Sequence, residues 1–437
     1  MLIAPSSYGA LSATSANTIQ GHKPGFSGQS GAKKLGFKVG NISYSEANPV
    51  LGGSNTDKDK IEPGTPKLFE PSLRLNEFVV QGLTVNDFTV VNDYFDADGD
   101  IPATPAFTVG TVSHQWLDGN GNLIADENKM VGCSAFSQPL TLKINLDAQS
   151  HSQYGAPRDS DPAGLEQSYQ IKAPSGICFA KPNQMIVDPA HTWVGTSGGN
   201  TYYWNNASYK ARNQYGGGYD PNQFDPENGF KASLNPKFPT TGFSKASFTL
   251  IVVGDASDYT FTHNVGSRVT VGADGKVTLN SKPNGAVTIK AKYNATSEIH
   301  EYTFDPRTVW VAPQRNSATA SGPSPYIYYS YGEAKTACGG NDSRIPSRAQ
   351  LTNSPRNTAP EDWAYEVNAY TRKVDGSLFG EWGYTGSTTY PGSQWMDNKG
   401  YWTRDPSSSI NQYRVFSSHG VIDFNYKSSS NYIACLG

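Results

Sequence analysis

The chain has 437 residues, a length that at about 150 residues per domain allows roughly three domains. Its 35 Lys and Arg against 38 Asp and Glu leave a formal charge of −3, which excludes a basic nucleic-acid binder and equally a polyacidic tail protein. Only 17% of residues are charged while Gly (44), Pro (28) and aromatics (12%) run high, a balance that favours short strands and many turns over long helices.

Met1 to Gln20 is rich in Ser, Ala and Thr and reads as a tail; it lacks the basic stretch and apolar run of a secretory signal. Leu35 to Tyr44 is strand-like, and the Gly/Pro-rich run from Leu51 to Lys67 reads as a loop or joint. Residues 72–180 pattern as β throughout. Glu77–Val80, Leu83–Val85, Phe88–Val91 and Phe107–Trp116 are successive strands, and Leu140–Leu146 alternates cleanly enough to bury one face. Residues 190–240 hold few aliphatics but many Tyr, Trp, Asn and Gly, and read as long ordered loops. From Phe243 strands return: Ser247–Val253, Tyr259–Thr262, Val269–Val271, Lys276–Leu279, Ala286–Lys292 and Tyr302–Phe304, with Asp274-Gly and Asn284-Gly as hairpin turns. Beyond a Pro/Ser/Gly-rich linker at 312–325 the character changes. Glu333–Cys338 is helix-like, Ser347-Arg-Ala-Gln350 is a capping box opening a second helix, and the remainder is aromatic, loop-rich and short-stranded. No apolar run reaches the ~18 residues of a membrane-spanning helix.

The four cysteines, Cys133, Cys178, Cys338 and Cys435, show no C-x-x-C spacing and no His at ligand distance, which argues against zinc. Four cysteines allow three pairings. Joining 133 to 178 and 338 to 435 has the merit of keeping each bridge inside one expected domain, and closing the second loop would contribute roughly 4–5 kcal/mol in the chain-entropy model. Two disulfides would place the chain outside the cytoplasm; four buried thiols are the alternative.

No constellation supports catalysis. Gly195-Thr-Ser-Gly-Gly199 matches G-x-S-x-G, but Asn200-Thr-Tyr-Tyr is a poor helix start and a nucleophile elbow needs a helix there. Asp96-Ala-Asp-Gly-Asp100 resembles half of a calcium loop, yet its sixth and twelfth places hold Ile101 and Phe107 rather than Gly and Glu. Asp118-Gly-Asn-Gly-Asn122 fails in the same way, and both read first as turns. The seven histidines are dispersed. A secreted hydrolase would need a deep polar cleft with paired carboxylates. What remains is aromatic surface: Trp363, Trp382, Trp395 and Trp402, with many Tyr, lie in the C-terminal module. Most of them are expected in its core, and an exposed subset would serve as an interface anchor or a sugar-stacking platform.

Several segments together resemble the C-terminal extracellular part of intimin/invasin-family adhesins. They run from about Phe238 onward: Phe243–Leu250, Asp274-Gly-Lys-Val-Thr, Ala286–Ala291, Tyr331–Cys338, Arg344-Ile-Pro-Ser347, Leu351-Thr, Glu381-Trp-Gly383, Tyr401-Trp and the final Cys435. Residues 70–190 are similar only in general immunoglobulin-like character. The resemblance implies a mostly β chain of tandem immunoglobulin-like β-sandwich domains followed by an α+β C-type-lectin-like domain. The expected segments are 1–66 (linker or partial immunoglobulin-like piece), 67–189 and 190–312 (immunoglobulin-like) and 313–437 (lectin-like). It further implies a non-enzymatic adhesin exposed at the bacterial outer membrane through an N-terminal β-barrel that this chain lacks. The expected partner is a host-cell surface protein or glycan receptor, with no nucleic acid. No metal and no other cofactor is expected, because the Glu-Pro-Asn, Gln-Pro-Asp and Trp-Asn-Asp motifs of calcium-dependent sugar binding are missing from 313–437. The residues expected to carry binding are the exposed members of Trp382, Tyr384, Tyr390, Trp395, Tyr401, Arg404 and Tyr413, in the loop-rich stretch where binding residues collect. A carbohydrate-binding module using the aromatic loops at 193–219 or the tip is the second reading.

Overall fold

The computed structural model describes residues 21–47, 61, 64–134, 136–185, 194–197, 200–203, 218–314, 328–354 and 369–437. Its residues fall into two compact units, one drawn from 1–67, 74–128 and 139–172, the other from 68–73, 129–138 and 173–437.

In the first unit the strands are β1 (Gly25–Phe26), β2 (Gly36–Val39), β3 (Ile42–Ser45), the first residue of β4 (Lys67–Leu68), β5 (Phe78–Gln81), β6 (Tyr94–Phe95), β7 (Pro102–Val109), β8 (Ser113–Leu117), β9 (Leu123–Ile124), β10 (Leu140–Ser152) and β11 (Ala163–Lys172). The long strand β10 organises it, pairing antiparallel with β11 along one edge and with β7 and β8 along the other. Its residues alternate strictly, Leu140, Leu142, Ile144 and Leu146 being buried while Thr141, Lys143 and Asn145 face outward. Against that face, β2, β3 and β5 form a smaller sheet whose Phe37 and Phe78 rings contact each other at 5.5 Å, with Trp116 edge-on to Phe78 at 5.2 Å. The run from Leu35 to Tyr44 is therefore a hairpin, turned at Gly40 (φ +57°), a backbone shape that glycine adopts without strain.

Two expected strands are turns instead. Val85–Asp87 is a 3₁₀ turn and α2 (Val90–Asp93) a single helical turn following the equally short α1 (Gln29–Ala32). The cause is local capping that β-propensity does not register. The Asp87 carboxylate accepts the Thr84 backbone N–H at 2.8 Å, Asp93 accepts that of Thr89 at 2.8 Å, and Thr89 Oγ1 accepts from Asn92. These bonds hold the chain in turns despite its valines.

The second unit contains β12 (Ile177–Pro182), β13 (Val194–Ser197), β14 (Asn200–Tyr203), β15 (Phe224–Asp225), β16 (Gly229–Lys231), β17 (Thr241–Gly242), β18 (Ser247–Val252), β19 (Tyr259–His263), β20 (Val269–Val271), β21 (Lys276–Leu279), β22 (Val287–Tyr293), β23 (Ile299–Phe304) and β24 (Val309–Pro313). After them come helices α3 (Tyr331–Ala337), α4 (Arg348–Leu351) and α5 (Leu378–Trp382), then β25 (Gly400–Pro406), β26 (Asn411–Phe416), β27 (Ile422–Tyr426) and β28 (Ala434–Leu436). A six-stranded sheet in the order β15-β16-β12-β18-β21-β20 and a three-stranded one, β19-β22-β23, supply the β-rich part. In the C-terminal part, β25-β26-β27 form a meander, α3 is opened by Ser330 and α4 by Ser347, each in a capping box. The chain is mostly β, with an α+β module at its C-terminal end.

The expected segment boundaries do not match these units. Residues 21–47 belong to the first unit rather than to a linker. Strand β12, expected to end the 67–189 domain, is an inner strand of the second unit's largest sheet. Segments 190–312 and 313–437 share one hydrophobic core running from Ala180 to Ala434, beside a smaller cluster around the Cys338–Cys435 bridge. The reason lies in connectivity: β24 pairs with both β17 and the late strand β28, which stitches the C-terminal module onto the strands before it.

Cys133 is bonded to Cys178 and Cys338 to Cys435, with Cα–Cα distances of 5.8 and 5.4 Å. Both bridges lie in the second unit, the first joining the strap 129–138 to β12.

Candidate functional site

The seven residues expected to bind divide sharply. Trp382, Tyr390 and Trp395 are completely buried and Tyr401 is nearly so. They cannot contact a partner in this fold, and their assignment to binding is corrected here. Their work is internal. Phe243, just after β17, is ringed by Trp382, Tyr390 and Trp395 at 5.5, 5.3 and 6.1 Å, all edge-on. Trp395 meets Tyr401 at 4.5 Å. Three of the four polar tips are bonded: Trp382 Nε1 donates to Thr241 O at 3.0 Å, Tyr390 OH to Trp382 O at 2.8 Å, and Tyr401 OH accepts from Met396 N–H at 2.9 Å. A module with few aliphatics fills its interior with rings, which bury large areas and orient edge to face.

Within this aromatic joint sit two buried charged side chains that the sequence does not advertise. Glu381, on α5 beside Trp382, is fully buried. Its carboxylate accepts from the backbone N–H groups of Thr240, Thr241 and Gly376 at 2.8, 2.9 and 3.3 Å, and from both threonine hydroxyls. Burial outweighs these donors and pushes its pKa up to about 7. Arg372, also fully buried, donates Nη2 to Gln184 O at 3.0 Å and lies over the rings of Phe224 and Phe230 at 4.8 and 5.5 Å. Desolvation lowers its pKa. Gly383 (φ +70°) follows α5 because a Cβ there would come within 2.2 Å of Arg372 Nη1. Glu381 and Gly383 do appear in the family-like triplet Glu381-Trp-Gly383, the one signal that could have found them.

The other three candidates lie at the surface of the β25-β26-β27 sheet or beside it. Arg404 is exposed on β25, and Tyr413 is half-buried on β26 beneath the Arg348 guanidinium, 4.0 Å from its ring. Asp405 accepts the Arg348 backbone N–H at 2.6 Å. Tyr384 is half-buried, its pKa raised to about 12 by burial and then by nearby Asp397. Sequence reasoning missed the apolar members of this surface: Ile410 at the β25–β26 turn and Tyr426 at the end of β27 are 60% and 58% exposed. They are brought together by the hairpin, where Lys427 N–H donates to Ile410 O at 2.9 Å. Nothing in Ser408-Ser-Ile410 marks the isoleucine as exposed before the register is known.

The remaining motifs resolve locally. Gly195-Thr-Ser straddles no elbow: β13 pairs antiparallel with β14, a hairpin where a helix would be required. Most of the aromatic stretch 193–219, and Trp363, lie outside the described residues. Asp96 Oδ1 accepts the backbone N–H groups of Asp98 and Asp100 at 2.9 and 3.1 Å, and Asp98 is engaged by His22 at 2.8 Å. These three carboxylates can approach within 4.8 Å of one another, but their bonds are those of a turn. Asp118 is likewise committed to Asn120 and Asn122, whose bonds, the Asn122 side chain first, lower its pKa. A groove of about 770 Å³ runs between Ser233–Lys237, the end of β23 and the 374–376 loop. Its two carboxylates are each tied up, Asp305 by Arg307 at 2.6 Å and Asp375 by Ser377 and Asn353, so they do not form an acid/base pair.

Residues 222–304 match the family model described as invasin, domain 4. The invasin of Yersinia enterocolitica is 29% identical over 194 residues, covering 42% of this chain and 19% of that protein; the chain thus spans about a fifth of the relative's length. Among solved structures, that of invasin, described as a bacterial integrin-binding protein, is 17% identical with a TM-score of 0.38, covering 78% of this chain and 61% of the other. A C-terminal 282-residue intimin fragment in complex with the intimin-binding domain of the translocated intimin receptor is 15% identical with a TM-score of 0.33, covering 76% of this chain and 86% of the fragment. By sequence, residues 222–304 match invasin domain 4, and over 194 residues the chain is similar to an intimin/invasin-family protein.

Proposed function

We propose that the chain is the receptor-binding part of a bacterial adhesin displayed at the outer-membrane surface, and that its C-terminal lectin-like module is the tip that meets a host-cell surface protein. The barrel anchor belongs to this proposal, and a protein rather than a glycan is the partner. The observation that carries the reading is the division of the aromatic set. Four of the seven candidate residues lock the module's interior, leaving Arg404, Ile410 and Tyr426 exposed and Tyr413 half-buried. Such a patch, with apolar anchors set among charged neighbours, has the make-up of a protein interface. The invasin domain 4 match supports the adhesin part of the reading. The β-rich parts before the C-terminal module serve, on this reading, as the stalk that carries the tip outward.

The test is binding of the purified chain to cultured animal cells, with variants at the patch. Arg404→Ala combined with Tyr426→Ala is expected to weaken binding at least tenfold while leaving the melting temperature within a few degrees, as surface changes do. Full binding by that double variant would place recognition elsewhere, and binding that survives protease removal of cell-surface proteins would overturn the protein partner.

A further inference from the structure

The outward face of the first unit's large sheet carries a line of side chains that adhesion does not explain. β7 and β10 pair antiparallel with Thr108 opposite Gln149. Gly110 N–H donates to Asp147 O at 2.7 Å, so two residues along, Thr108 and Gln149 form the same type of close pair, with Cα atoms about 5.5 Å apart. Their side chains share the face that β10 turns away from the core, together with His151. On its other side His151 bridges Asp159. Thr108 Oγ1 lies 2.5 Å from His151 Nε2, and His151 Nδ1 lies 2.7 Å from Asp159 Oδ1. Hydroxyl, imidazole and carboxylate thus stand in the order nucleophile, base and orienting acid. The residue that strand register sets opposite Thr108 is the half-buried Gln149, whose carboxamide is a potential acyl donor.

We propose that Thr108 and Gln149 become joined by an intramolecular ester. Thr108 Oγ1 attacks Gln149 Cδ, and His151 Nε2 takes the hydroxyl proton as the O–C bond forms. That proton passes to the amide nitrogen as the C–N bond breaks, and ammonia leaves. Asp159 is a positioning residue that holds the imidazole with Nε2 toward the hydroxyl. No oxidant, metal or second substrate is needed. Holding both groups on paired strands supplies the proximity that lets a weak nucleophile reach a poor acyl donor. The product would fasten β7 to β10 covalently at a point no disulfide reaches.

Intact-mass spectrometry of the folded chain decides the matter. The expected mass, after allowing for the two disulfides, is about 17 Da below the sequence mass, the loss of one ammonia on ester formation. Tryptic fragments 75–129 and 144–158 should travel as one species, and alkaline hydroxylamine should part them, leaving a hydroxamate at Gln149. Gln149→Ala and Thr108→Val should each show full mass and separate fragments, and Asp159→Asn should form the link more slowly on refolding. Full mass and separate fragments in the folded unmutated chain overturn the proposal, and so does a mass deficit that survives in Gln149→Ala.

Discussion

Strand β10 of the first unit and the C-terminal module of the second bury their side chains by opposite means. In β10 every second residue from Leu140 is interior, so period alone tells inside from outside. In the C-terminal module the interior is filled by Trp382, Tyr390, Trp395, Tyr401 and Trp402, from a short helix, irregular loops and one strand. No period relates them. The difference teaches that aromatic enrichment in a loop-rich module signals scarcity of aliphatic filling before it signals a binding surface.

The sharpest way to break the comparison is to remove what the C-terminal module has and β10 lacks. Replacing Cys338 and Cys435 together by Ser should cost about 4–5 kcal/mol in the chain-entropy model, seen as a large fall in the second unit's denaturant midpoint with the first unit's unchanged. The bridge sits in its own small core with Tyr331, Trp402 and Ile433, so exposure of Trp402 fluorescence should accompany the loss.

Next in size, Trp395→Ala should destabilise by about 3–5 kcal/mol and Ile144→Ala in β10 by about 2–5 kcal/mol. Comparable losses in thermal or chemical denaturation would establish that the tryptophan is core in the same sense as the isoleucine. A loss below about 0.5 kcal/mol at Trp395, the level of surface substitutions, would restore it to the binding surface.

The smallest expected effect separates the two interiors by pH. Burial raises the folded pKa of Glu381 to about 7, above its unfolded value, so the folded state holds the proton longer. Stability from this group is therefore greatest in acid and declines as pH rises from about 4.5 to about 7, by roughly 2–3 kcal/mol. Glu381→Gln should flatten that slope in the second unit. A slope that persists unaltered in Glu381→Gln would assign it to other groups. The β10 face, whose interior is aliphatic, offers no such group.

Legibility followed the same line. The mostly β character, the capping box at Ser347 and the α+β change after 313 could be read because propensity and spacing act over a few residues. The grouping of β12 with β18, and of β28 with β24, could not, since both pairings depend on contacts far apart in sequence. At the site, the candidate stretch mixes the exposed Arg404 with fully buried rings, because composition cannot tell a ring that faces Phe243 from one that faces water. The burial of Glu381 could not be read because four of its five donors come from Thr240 and Thr241, distant along the chain.

The pairing of β24 with β28 also sets an order of events in folding. β24 waits for a partner that emerges only after the whole C-terminal module has been made, and in the interval its Ala312 and Pro313 edge has nothing to close against. Synthesis arrested before Ala434 would therefore leave both parts of the second unit open at once, sensitive to proteases, rather than one finished part and one missing one.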